Sequence, residues 1–210
     1  MKSKNWDEGY AVTKEQPKHE YDVVVVGKGN AALCAALSAR ELGVSVAMLE
    51  AATEEESGGN SRFAGGVMRF AYATVDDLKR LTNITDEEIA SSDFGTNTRE
   101  EFLDDLYRLT SYRTDPDLSE LLVNRSLDTL AWLRSKGVRF NLNFGRQSGL
   151  VNGKRVFFGR MPVEASGGGA GLVQNLDAAA KKAGIEVFYE TRVTALLYDG
   201  ERVSGVRARH

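Results

Sequence analysis

The chain has 210 residues, 42% of them hydrophobic and 27% charged, with a formal net charge of −3. This is the composition of an ordinary folded chain, long enough for one α/β domain or one domain and part of a second, and its balance has no basic stripe to attract nucleic acid. The single cysteine, Cys34, excludes an intrachain disulfide and a cysteine-based zinc site, and His19 and His210 lie near opposite ends, leaving no His-rich metal cluster.

Residues 1–20 are polar and charged and contain no apolar signal-peptide core, so they are expected to be a flexible lead-in to a cytoplasmic protein. No apolar run is long enough to span a bilayer. Order is expected from Tyr21. Tyr21-Asp22-Val23-Val24-Val25-Val26 is a β-branched run predicting a central parallel strand covered by helices on both faces. Asn30–Leu42, rich in Ala and Leu, predicts a helix stopped by Gly43, and Val44–Leu49 a second strand closing at Glu50. Together they form a β-loop-α-β unit.

Residues 51–70 are irregular and rich in glycine. Thr98 and Glu101 have capping-box spacing and open a helix with Phe102, Leu103, Leu106 and Leu109 on its apolar face. Asp115-Pro116 starts another, carrying Leu118, Leu121, Leu122, Leu130 and Leu133 toward Lys136, with Gly137 as its stop. Val138–Phe144 alternates like a half-buried strand, and Asn152-Gly153 predicts a hairpin turn. Gly167-Gly168-Gly169 leads into a helix over Ala170–Ala183, ended by Gly184. Ile185–Tyr189 and Val193–Tyr198 are short strands, and Asp199-Gly200 turns the chain into a return strand at Val203–Arg209.

The elements predict an α/β fold: a Rossmann-like parallel sheet with helices over residues 21–210, interrupted at about 70–165 by a helical and hairpin insertion. The strands after Tyr21 are too few to complete such a sheet, so the 210 residues are expected to be part of a larger fold.

Chemistry concentrates at Gly27-Lys28-Gly29-Asn30-Ala31-Ala32, a GxGxxA pattern placed after a strand and at the start of a helix. Its first glycine allows the tight turn, its second lets the backbone approach a pyrophosphate, and the small Ala32 lets helix and strand pack closely. The helix start then aims free amides at the negative charge. Glu50, at the end of the second strand, is placed to accept hydrogen bonds from a ribose diol and would repel a 2′-phosphate. Ser57-Gly58-Gly59-Asn60-Ser61 and Ala64-Gly65-Gly66 form a second glycine loop that an NAD domain does not need, which favours a longer dinucleotide lying flat along it. Gly167-Gly168-Gly169 reads either as an anion-binding loop or as a hinge into its helix. Cys34 reads as a packed small residue of the first helix.

The run from Tyr21 to Ala36, with Leu49-Glu50-Ala51-Ala52, Gly58-Gly59-Asn60-Ser61 and Thr191-Arg192-Val193-Thr194-Ala195-Leu196, resembles the flavoprotein family of fumarate reductases and succinate dehydrogenases. Gly-Asn-Ala-Ala-Leu-Cys-Ala-Ala and Gly-Gly-Asn-Ser point within it to the FAD-dependent tricarballylate dehydrogenase branch. The resemblance implies a flavoenzyme that exchanges a hydride across a CH–CH bond of a carboxylic acid, with tricarballylate oxidised to cis-aconitate; a reductase of the fumarate type or another enoate or ketosteroid flavoenzyme, and an FAD-binding module without catalysis, stand as the alternatives. It implies noncovalent FAD, because Asn60 stands near the place where covalent members carry histidine. Gly27, Gly29, Asn30 and Ala31 would then line the pyrophosphate, Glu50 and Ala51 the ribose, and Val193 the adenine. Gly59, Asn60, Ser61, Gly65 and Gly66 would approach the phosphates and flavin, although Gly65 and Gly66 stand about one residue out of the usual spacing. An electron-acceptor protein or quinone-linked partner is implied as well. Arg62, Arg69, Arg146 and Arg160 are cations that either meet a carboxylated substrate or are solvated surface charges; no residue is assigned a catalytic role.

Overall fold

The computed structural model describes residues 19–210, so all but the last two residues of the expected lead-in lie outside the described residues. β1 (Val23–Val26), α1 (Asn30–Glu41) and β2 (Val46–Leu49) are followed by a 3-10 turn at Gly59–Phe63 and two short helices, α2 (Val75–Lys79) and α3 (Asp86–Ser91). Next come β3 (Ser92–Asp93), α4 (Arg99–Leu109), α5 (Pro116–Ser135), β4 (Phe140–Leu142), β5 (Ser148–Val151), β6 (Lys154–Phe157) and β7 (Val163–Ala165). The chain returns through α6 (Gly168–Lys182) to β8 (Glu186–Phe188), then forms the antiparallel ribbon of β9 (Arg192–Tyr198) and β10 (Val203–Arg209).

β1, β2 and β8 make the parallel sheet, with β2 in the middle. The valine run, expected at the centre and covered on both faces, is instead an edge strand among the described residues, with Val24 37% and Val26 54% exposed. β2, paired on both sides and buried at Val46, Ala47 and Met48, takes the central place.

Helices α1 and α6 pack on each other and on the sheet. Leu33, Ala36 and Leu37 share one hydrophobic cluster with Leu172, Val173, Leu176 and Ala180 and with Val46 and Met48. The i, i+3, i+4 spacing of the α1 residues puts all three on one helix face, each large one stabilising the fold by about 1.5–3 kcal/mol. The cluster continues without a break into residues 70–165 through Phe70, Leu78, Phe94, Leu130 and Val163. There a mixed sheet, β3–β6–β5, carries the Asn152-Gly153 turn with positive φ at both residues, 51° and 78°, as a two-residue hairpin of this twist requires. β4 pairs antiparallel with β7 beside it.

Two helices escape a periodicity reading because they are too short to show a period. Their start signals are nonetheless present: Thr74 with Asp77 and Thr85 with Glu88 form reciprocal capping boxes, as do Thr98 and Glu101 at α4. In α5 the buried stripe is Ser119, Val123, Ser126, Leu130 and Leu133, while Leu118, Leu121 and Leu122 face solvent. The leucines dominate a hydrophobicity count, but the inward face also carries Ser126, whose hydroxyl accepts the Ala71 backbone N–H (2.9 Å). Asp115 caps the helix through the Leu118 N–H (3.0 Å) ahead of Pro116. Replacing Asp115 by Ala is expected to cost about 0.5–2 kcal/mol in urea unfolding, whereas Leu121→Ser stays within about 0.5 kcal/mol.

Candidate cofactor-binding site

The Gly27 N–H donates to the Leu49 carbonyl (2.8 Å), so strand pairing runs up to the first motif residue. A φ of 97° at Gly27 then swings the chain into α1, a backbone state that a Cβ opposes. Gly29 is the extended N-cap of α1, without a side-chain cap and without an acid in the first turn. The Asn30 N–H donates to Ser61 Oγ (3.0 Å) and the Leu33 N–H to the Gly29 carbonyl (3.0 Å). The amides of Ala31 and Ala32 have no intramolecular acceptor among the described residues. Two free N–H groups at the positive end of a helix are the complement of a pyrophosphate.

The second glycine loop lies against this helix start. Gly59, Asn60 and Ser61 sit in the 3-10 turn, with Gly59 and Asn60 exposed, and the Ser61 hydroxyl joins the two loops. The turn is held from behind by the start of α6. The Gly169 N–H donates to the Ala64 carbonyl (2.8 Å), and a Cβ on Gly169 would stand 2.0 Å from the Ser61 carbonyl oxygen. The Gly167-Gly168-Gly169 run therefore permits backbone to pack on backbone. Gly66 belongs to the same contact: it is buried, and a Cβ there would lie 2.7 Å from Gly168 Cα. Gly65 is exposed, and the Arg146 guanidinium reaches its carbonyl (3.5 Å).

At the other end, Glu50 is fixed by its N–H to the Phe188 carbonyl (2.9 Å) and by its own carbonyl, which accepts from Thr191 (2.8 Å). One carboxylate oxygen accepts the Ala52 N–H (2.8 Å); the other has no partner among the described residues and is free for a ribose hydroxyl. The Thr191 link brings the start of β9, with its half-buried Val193, toward this end of the site, where Ala51 is exposed. The residues picked from the sequence thus follow one path: Glu50, Ala51 and Val193, then Gly27–Ala31, then Gly59–Ser61, then Gly65.

Sequence reasoning missed Lys28, which stands between the motif glycines and is 3% exposed. It turns inward to an ion pair with Asp177 of α6 (2.6 Å), donates to Ser57 Oγ (3.3 Å) and lies 5.4 Å from the Tyr189 ring centre. The only sequence signal is a lysine where a motif tolerates any residue; its partner is far away along the chain. Cys34 packs on α1 with its thiol on Asn30 Oδ1 (3.6 Å), and burial pushes the thiol pKa up. It is an inert packing residue.

The arginines separate by their partners. Arg62 donates to the Glu55 carbonyl. Arg69 pairs with Asp105 (2.6 Å), donates to Asn97 Oδ1 (2.8 Å) and lies over the Phe102 ring. Arg160 meets Glu101 (3.2 Å) and Asp105 (3.4 Å). Hydrogen bonds from Arg108 and then Arg69 draw the Asp105 carboxyl down to about 2, so it stays charged opposite them. A hollow of about 440 Å³ lined by Ala73, Asp77, Arg80, Glu100 and Asp128 lies away from the glycine loops, and its Arg80 and Asp128 neutralise each other (2.7 Å). Among the described residues no group of three His, Cys, Asp or Glu is placed to hold a metal, and no helix is long and apolar enough to cross a membrane.

Two glycine loops joined at an open helix start, with a carboxylate at the end of the neighbouring strand, define an α/β dinucleotide-binding protein. The family described as FAD binding domain matches residues 22–210, and the chain belongs to it. FAD is its cofactor, and the free Ala31 and Ala32 amides and the open Glu50 oxygen fit that molecule. A fumarate reductase (cytochrome) of Shewanella frigidimarina is 28% identical over 94% of this chain and 31% of its own length. A flavocytochrome c3 fumarate reductase in an open conformation superposes with a TM-score of 0.67 at 27% identity, over 99% of this chain and 34% of that one. A 3-ketosteroid-delta4-(5alpha)-dehydrogenase of Rhodococcus jostii shares the fold, with a TM-score of 0.67 at 22% identity, over 95% of this chain and 44% of that one. The chain spans about a third of the length of the fumarate reductases it matches.

Gly169→Ala is expected to displace the Ser61 turn, destabilise the protein by more than the ~1–3 kcal/mol usual for overpacking, and strip bound FAD. Flavin content and a thermal melt read both effects. Lys28→Ala should cost about 1–3 kcal/mol, because Asp177 keeps only its outer partner Lys181 (3.1 Å), and Lys28→Met with Asp177→Leu should recover most of it. A single replacement costing under about 1 kcal/mol in urea unfolding would show that the pair is solvated.

Proposed function

We propose that the protein is an FAD-dependent oxidoreductase of the fumarate-reductase type, acting on a carbon–carbon bond next to a carboxylate. Within that class we propose tricarballylate, oxidised to cis-aconitate, as the substrate. The observation that carries the reading is the Ser61 hydroxyl on the Asn30 amide, which joins two glycine loops into one cradle for an extended dinucleotide. The family match supports the flavin, the fumarate reductases support the reaction type, and the Gly-Asn-Ala-Ala-Leu-Cys-Ala-Ala wording supports the tricarballylate branch. The second reading is reduction of an enoate, favoured by the reductive activity in the relatives' names.

When bound, FAD supplies the ring that takes up or gives the hydride. The chain's own residues bind and orient it. Gly27, Gly29, Asn30 and Ala31 hold the pyrophosphate through backbone, Glu50 holds the ribose, and Ala51 and Val193 border the adenine. Gly59, Asn60, Ser61, Gly65 and Gly66 flank the phosphates and the flavin end. Asn60 in place of histidine supports noncovalent attachment. Residues 21–210 are proposed as FAD-binding domain, with 70–165 inserted into it. A small carboxylic acid is the proposed substrate, a cytoplasmic setting the proposed location, and a protein or quinone-linked carrier the proposed electron partner. No proton donor is assigned within residues 1–210, so a protein comprising these residues alone is expected to bind cofactor without turnover.

Acid denaturation of the yellow protein is expected to release intact FAD; flavin remaining on the precipitate would overturn noncovalent attachment. Glu50→Gln, which removes the charge facing the ribose, should weaken FAD binding about tenfold, equivalent to ~1.4 kcal/mol, in fluorescence titration of apoprotein. Dye-coupled assays with tricarballylate, succinate and fumarate decide substrate and direction.

A further inference from the structure

We propose that Arg146 is a specificity-determining residue that receives a carboxylate of the substrate at the flavin end of the site. The proposal rests on the functional reading above and deepens it.

The dinucleotide path has a direction. Its ribose end lies at Glu50 and Val193 and its phosphates at the Ala31 and Ala32 amides, so the ring end falls beyond Ser61, toward Gly65. Arg146 stands there: its Nη1 lies 3.5 Å from the Gly65 carbonyl, and a Cβ on Gly65 would come within 2.7 Å of the same nitrogen. The glycine thus leaves the space the guanidinium occupies.

Charge accounting singles it out. Of the four arginines offered by the sequence, Arg69 and Arg160 are ion-paired to Asp105 and Glu101, and Arg62 is turned onto the Glu55 carbonyl. Arg146 has no carboxylate partner among the described residues, and its one contact is a long one to a neutral carbonyl. A guanidinium with unused donors recognises a carboxylate in two-point geometry.

The loop bearing it is fixed at both flanks. The Gln147 N–H donates to the Asn143 carbonyl (3.3 Å), the Phe158 N–H to the Gln147 carbonyl (3.1 Å), and Ser148 Oγ to the Phe144 carbonyl (2.7 Å). At its root Asn143 is buried with both side-chain amide atoms unpartnered, a cost a fold seldom carries without a use. An exposed cation here separates a site for anionic substrates from one for a neutral diketone such as the androstenedione bound by the Rhodococcus jostii relative.

The test is a titration of the full-length, FAD-loaded protein with tricarballylate and with its neutral trimethyl ester, followed by the flavin visible spectrum. Arg146→Ala and Arg146→Gln are expected to weaken tricarballylate about ten- to hundredfold with FAD content unchanged, Arg146→Lys to keep part of the affinity, and the ester to bind all four proteins alike. Parallel titrations with fumarate and succinate cover the other carboxylates of the class. Equal tricarballylate affinity in unsubstituted and Arg146→Ala proteins overturns the proposal and leaves the functional reading intact. Loss of FAD from all three variants overturns it too, by making Arg146 a cofactor residue. If the unsubstituted protein binds none of the carboxylates, the functional reading falls, and this proposal with it.

Discussion

The site rests on a place where no side chain fits. The start of α6 is pressed so closely against the Ser61 turn that the hydrogen of Gly169 faces the Ser61 carbonyl, with Gly66 and Gly168 meeting alongside. That contact sets the height of the turn, the turn sets the Ser61 hydroxyl, and the hydroxyl takes the Asn30 amide at the mouth of α1. Within the first turn of α1, Ala31 and Ala32 then keep amides to offer, with no acceptor among the described residues. Three glycine segments far apart in sequence act as one object because backbone packs on backbone, which polar groups tolerate only when each finds a partner, here the Gly169 N–H on the Ala64 carbonyl.

Charge is arranged around this object with the same economy. Lys28 leaves the motif and locks it from below to α6 through Asp177, so a cation lies under the phosphate path while the path itself is lined by backbone. Arg69 and Arg160 pair with Asp105 and Glu101, which ties α4 to the two loops that carry them, while Arg108 pairs with Asp105 within α4. One carboxylate oxygen of Glu50 and the guanidinium of Arg146 have no charged partner among the described residues.

Much of this is legible in the residues because its signals are local. A β-branched run, a GxGxxA turn, an Ala-rich helix and an acid at the next strand end lie within about thirty residues, and each depends on neighbours in the chain. The same holds for the Thr98 and Asp115 caps and for the Asn152-Gly153 and Asp199-Gly200 turns. The short helices α2 and α3 were missed although their capping boxes are written in the sequence, because a single turn has no period to detect. A count of leucines does not show which face of α5 is buried: Leu118, Leu121 and Leu122 are exposed, while Ser126 is buried and accepts the Ala71 N–H.

The sequence by itself determined the cofactor class, since a dinucleotide is gripped by turn geometry and helix ends that short stretches of chain specify. Tertiary structure alone decided that β2 lies between β1 and β8 among the described residues, that Gly169 serves Ser61, that Lys28 is a buried lock and that Arg146 faces Gly65. These depend on which distant segments meet. A residue's chemistry states what it tolerates as a neighbour, and only the folded chain supplies the neighbour.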